Sequence, residues 1–439
     1  MARGLRIPGL ALVVSLLSGC GGARVDNAVS GVGIETQFTT PTNAEAVAWI
    51  TVDCAACAWD TTGSEGVVLA VTVDDRAPLH VPIVRRGEAE YPLMLGAMSS
   101  GTHAIKIEQD PNLTATALRG KALAKLEVEI EQISAGDSTH QAVSLAPFVY
   151  ARPDTVGKFN DVPLLMWYEL EPTERGLRYR YSVIFSNEDG GTPADRLMAT
   201  WGRTTDIEYV YSVEVDAAGA ILSEDMQGPK HEILPFKGQR EGRHPLLWVS
   251  TENNMVLDQG TTTVRYAPAP VPADLTDASR EVVMDANAWT YEVMTRELVR
   301  EGKIVADAPT GQGTIPDPRR YVFLEGCGVA GNNALAVAVK VNDQWASSDR
   351  GVAEYRIVRD GCFRAAIPLP GTATARDVSA VRVQAFPRKD KPTNTRSRFT
   401  RLNTLFALDE RFVPGPSVMR WAGEAVLQPG GPPYEIPVK

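Results

Sequence analysis

Asp206 and Glu208 stand one residue apart at the head of an apolar run, GRTTDIEYVYSVEV, residues 202–215. In an extended strand alternate side chains share a face, and two residues span about 7 Å of backbone. The two carboxyls can therefore converge on one ion or one substrate. Alternation also assigns the faces: Ile207, Tyr209, Tyr211, Val213 and Val215 form a core face, and Asp206, Glu208, Val210, Ser212 and Glu214 lie opposite. Three outcomes suit that pattern. The oxygens can hold a hard cation, the pair can exchange protons with a substrate, or the acids can simply be solvated or neutralised by Arg203.

The neighbourhood supplies further ligating residue types. RYRYSVIF (178–185) alternates as a strand and runs into SNEDGG (186–191), a turn carrying Glu188 and Asp189. His231 follows in GPKHE, His244 in GRHPLLWVS, and Asn253 and Asn254 in TENN, so two of only five histidines fall here. Carboxylate and amide oxygens suit Ca²⁺ or Mg²⁺, and an imidazole extends the choice to Mn²⁺ or Zn²⁺. Asp206, Glu208 and His231 are the candidate metal ligands. His244, Asn253, Asn254, Glu188 and Asp189 are the candidate ligand-binding residues. Neither H-E-x-x-H nor an EF-hand loop occurs, so a divalent cation is expected from residue type and not from spacing. A phosphate loop and a serine-hydrolase elbow are also missing. Trp167, Trp201, Trp248 and Trp345 are placed where rings could stack on sugars, and PRKDKPTNTRSRFTR (387–401) could meet anionic groups.

The order of features over 163–258 resembles the core of the necrosis- and ethylene-inducing-like proteins, whose motif reads Gly-His-Arg-His-Asp-Trp-Glu. The heptad here is Gly202-Arg203-Thr204-Thr205-Asp206-Ile207-Glu208. Its glycine, aspartate and glutamate match, while both histidines and the tryptophan are absent. The resemblance implies a secreted β-sandwich with Asp206 and Glu208 as metal ligands and His231 as a weaker one. Cytolysis does not carry over, because the motif histidines are missing and the flanking regions differ.

Strands must position these residues. Most segments alternate apolar and polar positions over four to eight residues, punctuated by 37 glycines and 30 prolines. That pattern predicts an all-β, multi-domain chain of β-sandwich modules, immunoglobulin-like or jelly-roll, with few helices. The 439 residues divide as a signal segment (1–19), a tether (20–34), an N-terminal sandwich (35–149), a central β domain holding the candidate site (150–267), a proline-rich linker (268–275) and a C-terminal β-rich domain (276–439). Strands are expected at 46–53, 66–75, 79–84, 102–109 and 122–133 in the first sandwich, and a helix within 281–303.

The N-terminus places the chain. Arg3 and Arg6 precede an apolar run, Leu10 to Leu17, too short to span a bilayer and typical of a secretory signal. Leu17-Ser18-Gly19-Cys20 resembles the lipobox of bacterial lipoproteins, which implies lipidation at Cys20 and a membrane contact through that anchor. Gly21 and Gly22, with no aspartate, are compatible with the outer membrane. Removing residues 1–19 takes away two arginines and no acid, moving the formal charge from −10 to −12. An acidic chain excludes non-specific nucleic-acid binding, which needs lysine and arginine to displace counterions. Cys54, Cys57, Cys327 and Cys362 remain; in an oxidising compartment the sequence-local pairing is Cys54–Cys57 and Cys327–Cys362, with a redox-active C-x-x-C as the alternative. Three functions stay open: a surface protein binding a glycan or other ligand, with or without a cation; a metal- or carboxylate-dependent extracellular hydrolase; and a structural envelope protein.

Overall fold

The computed structural model describes residues 24–25, 33–188, 190–392 and 395–438; the expected signal segment, Cys20 and Asp189 lie outside the described residues. Within them the chain is all-β and multi-domain, with six sheets and four α-helices.

The first unit is a sandwich of two four-stranded antiparallel sheets. One is ordered Arg24–Val25, Lys125–Ser134, Ala44–Cys54, Gly87–Met98, and the other Gly33–Thr40, Gly101–Gln109, Val67–Val73, Leu79–Ile83. Each of the five expected strands is present. Gly87–Met98 escapes the alternation rule because it holds Pro92, which lacks an N–H and is tolerated here on a sheet edge. That edge is covered: Met94 N–H donates to the Ala267 carbonyl at 2.8 Å and Ala269 N–H to that of Pro92 at 3.0 Å. The expected linker is therefore bound along its length, and Val271–Pro272 pairs in parallel with Trp167–Tyr168. Alternating prolines do keep this stretch extended, and extension is what a sheet edge requires.

The central unit carries a six-stranded sheet ordered Ile233–Pro235, Ile221–Gln227, Asp206–Val215, Leu177–Phe185, Pro163–Pro172, Val271–Pro272. Its inner face packs on a small mixed sheet that includes His244–Val249 and Phe148–Tyr150, and this core is continuous with that of the first sandwich. Its outer face is covered at one end by helices Ala194–Trp201 and Trp289–Arg300, with Phe323 and Phe406 of the C-terminal sandwich. The helix expected within 281–303 is broken at Asn287 into Val282–Ala286 and Trp289–Arg300, which is why its apolar positions follow no single period.

The C-terminal unit is again two four-stranded antiparallel sheets, one built on Tyr321–Val329 and the other on Asn333–Val341. Both expected disulfides are present. Cys327 and Cys362 are register partners on adjacent strands. Cys54 and Cys57 are both buried, a setting for an inert structural bridge and not for an exposed redox pair.

Candidate functional site

The Asp206–Val215 strand runs antiparallel to Leu177–Phe185, with Asp206 opposite Phe185, Glu208 opposite Val183 and Tyr209 opposite Ser182. The next pair is Tyr211 with Tyr181, so Val210 is an extra residue, a β-bulge. The bulge reverses the alternation. Asp206, Glu208 and Val210 share the inner face with Tyr211, Val213 and Val215, while Ile207, Tyr209 and Ser212 look outward. The acids are thus not on a face opposite the core, and they are not solvated. Asp206 is 3% exposed and Glu208 8%.

Each carboxylate receives a side-chain amide in that interior. Asn254 Nδ2 donates to Asp206 Oδ2 at 3.0 Å, and Gln227 Nε2 to Glu208 Oε2 at 3.2 Å. Asn254 also reaches Asp161 Oδ1 and the Asn187 carbonyl, both at 3.4 Å. Asp161 is held in turn by Arg152 at 2.6 Å. Asn254, Asp161 and His231 all have left-handed backbone, with φ of 53°, 51° and 61°. Such conformations cost non-glycine residues energy and persist only where the surroundings hold them. Burial pushes the Asp206 carboxyl up to about 6, against Arg203. Burial and then the Asp206 charge push Glu208 up to about 8. Arg203 neutralises the pair only weakly: its Nη1 is 3.9 Å from Asp206, while its Nε bonds Glu281 at 3.1 Å.

The other sequence candidates separate. His231 is exposed and reaches the acids only through Gln227, which lies 2.8 Å from its Nδ1. Glu188 is half-buried and adds negative charge near both acids. Asn253 lies against Gly190, where a Cβ would fall 1.4 Å from its Oδ1. His244 is elsewhere: fully buried, stacked on Phe148 at 4.7 Å, with its nitrogens on the Ala146 carbonyl (2.8 Å) and Glu45 (3.1 Å). It is a joint between the first sandwich and the central unit, with no ring nitrogen left for a ligand. Among the described residues no group of three or more His, Cys, Asp or Glu side chains is placed to hold a metal ion. Gly202 of the heptad has a structural explanation. It ends helix Ala194–Trp201 at φ +65°, and a Cβ there would approach Arg364 Cγ to 2.4 Å.

The outward residues of the same strand line an open cavity of about 570 Å³, and spacing in the sequence does not reveal it. Four distant segments build it. The central sheet supplies Glu169, Arg178, Arg180, Tyr209 and Asp225, the end of helix Ala194–Trp201 supplies Trp201, a strap over 275–281 supplies Arg280 and Glu281, and the C-terminal sandwich supplies Arg359. Of the four tryptophans singled out by position, only Trp201 belongs to it; Trp167 is core. Arg359 lies 5.7 Å from the Trp201 ring centre and Arg180 5.8 Å from that of Tyr209, so one face of each ring carries a guanidinium. Burial pushes the Glu169 and Asp225 carboxyls up, each opposed by neighbouring arginines. Burial pushes Glu281 the same way, but Arg203, Arg359 and Arg280 outweigh it and hold it at about 2.

No family model and no curated protein matches the chain. Among solved structures, NLPPya in complex with mannosamine is similar over 31% of this chain and 73% of its own, at 11% identity and a TM-score of 0.23. A ruminal GH26 endo-beta-1,4-mannanase is similar over 33% of this chain and 28% of its own, at 13% identity and a TM-score of 0.16. Likeness at these scores bears on neither the fold nor the site.

Proposed function

We propose that the chain is a lipid-anchored protein of the bacterial cell envelope whose central domain binds an extracellular glycan in the outer-face cavity. The cavity's lining carries the binding reading. A hydroxyl-rich ring is held by planar polar groups that pair with neighbouring hydroxyls and by aromatic rings against its C–H face. Guanidinium, carboxyl and serine groups converge there with Trp201 and Tyr209. An open concave site with convergent polar groups is where a protein of this kind takes a small ligand. Asp206 and Glu208 face inward and are closed off by Asn254 and Gln227, so they support that sheet and do not touch the ligand.

Glycan-array retention tests this. The wild type and Asp206→Asn should be retained on the same glycans without cleaving them, and Tyr209→Ala should bind at least about tenfold more weakly, the equivalent of about 1.4 kcal/mol. Retention on no glycan, or loss in Asp206→Asn with Tyr209→Ala unaffected, contradicts the reading. The anchor is tested by labelled palmitate, whose incorporation Cys20→Ser should abolish.

A further inference from the structure

The charge of the cavity narrows the ligand, given that the glycan reading holds. The whole chain carries a formal charge of −10, yet four arginines, Arg178, Arg180, Arg280 and Arg359, line this one cavity against Glu169, Asp225 and Glu281. The acids are already engaged. Glu281 is bound by Arg203 at 3.1 Å, Asp225 accepts from the Tyr209 hydroxyl, and Glu169 accepts from the Trp167 indole N–H at 3.4 Å. Three of the arginines have partners that leave part of the guanidinium open. Arg178 is 3.6 Å from Glu214 and 3.9 Å from Glu171, Arg180 is 3.4 Å from Glu171, and Arg359 donates to the Thr200 carbonyl at 2.7 Å. Arg280 enters the cavity half-buried with no salt bridge to a described residue. A guanidinium presents two parallel N–H groups that match the two oxygens of a carboxylate or a sulfate ester.

We infer that the cavity takes an acidic glycan, one bearing carboxylate or sulfate groups, and that Arg280 makes the principal contact to the anion. A neutral glycan would leave the Arg280 guanidinium in the cavity without an ion-pair partner among the described residues.

Calorimetric titration of the intact protein with three oligosaccharides tests this: a uronate oligomer, a sulfated oligomer and an uncharged oligomer. At least one acidic oligomer should bind about tenfold or more tighter than the neutral one, with the advantage shrinking as salt is added. Arg280→Gln should weaken acidic-oligomer binding at least about tenfold more than neutral-oligomer binding, and Arg280→Lys, which keeps the charge but loses the paired geometry, should fall between. Tight binding of the uronate assigns the anion as carboxylate; tight binding of the sulfated oligomer alone assigns it as sulfate. Equal affinity for charged and neutral oligomers, or an Arg280→Gln loss that falls equally on both, overturns the acidic-ligand inference while the glycan reading stands. Absence of heat with all three overturns both.

Discussion

Replacing Arg364 with methionine should destabilise the protein by about 3–5 kcal/mol, the effect of removing one partner from a buried ion network. Arg364 is fully buried. Its Nε bonds Glu325 at 2.8 Å, its Nη1 and Nη2 bond Asp285 at 2.9 and 2.6 Å, and Nη1 also donates to the Tyr291 hydroxyl at 3.0 Å. Glu325 accepts the Ser279 hydroxyl at 2.7 Å, so the network ties the C-terminal sandwich to the helices and to the strap over 275–281 that carries Arg280 into the cavity. Methionine fills much of the volume but leaves Glu325 buried without its cation, and that uncompensated charge is the source of the loss. Urea unfolding checks it. In an Arg364→Met, Glu325→Gln cycle the double variant should recover part of the stability, because both members of the pair are then neutral. A loss below about 1 kcal/mol would mean that this network is solvated in the working protein.

The second large effect concerns the inner-face acids. Raising the pH from about 5 to about 8 should destabilise the wild type more steeply than the Asp206→Asn, Glu208→Gln double variant. In the native chain these carboxyls ionise at about 6 and about 8, while in the unfolded chain they return to ordinary values of 3.8 and 4.5. Between those limits the native state holds protons that the unfolded state has lost. The stability they contribute is complete in acid and is lost as the pH rises, first through the Asp206 value and then through that of Glu208. Each such proton is worth about 1.4 kcal/mol for every pH unit. Glu297, pushed up to about 7 by burial against Arg300, titrates in both proteins, so the difference between their curves belongs to the pair. Melting temperatures across the range measure it. Parallel curves would mean that Asp206 and Glu208 are ionised at ordinary pH and paired with charge in the native state.

Most of the expected strand positions follow from alternation because such strands have one face on a core, and both disulfides match the pairing of cysteines nearest in sequence. The faces of Asp206–Val215 do not follow. Tyr209, Val210 and Tyr211 are all apolar, so a bulge at Val210 leaves no mark on the pattern, yet it turns Asp206 and Glu208 inward and Tyr209 outward. Gly202 carries a real signal, but its cause is the helix end and Arg364, not a ligand. Gln227, Asp161 and Arg152 around the acids, and Arg280 and Arg359 around the cavity, come from separate segments with no shared spacing. Only tertiary structure brings them together. The linker expectation failed for a related reason: an extended proline-rich chain looks the same in sequence whether it spans solvent or pairs with a sheet edge.

The claim that ligand binds the outer face of the central sheet, and not its inner acids, is tested most directly by hydrogen exchange with and without a saturating glycan retained in the array. Exchange should slow in the strap over 275–281 and in the 353–361 loop that carries Arg359, with 227–232 and 250–255 unchanged. Protection confined to 227–232 and 250–255, around Asp206 and Glu208, would contradict it.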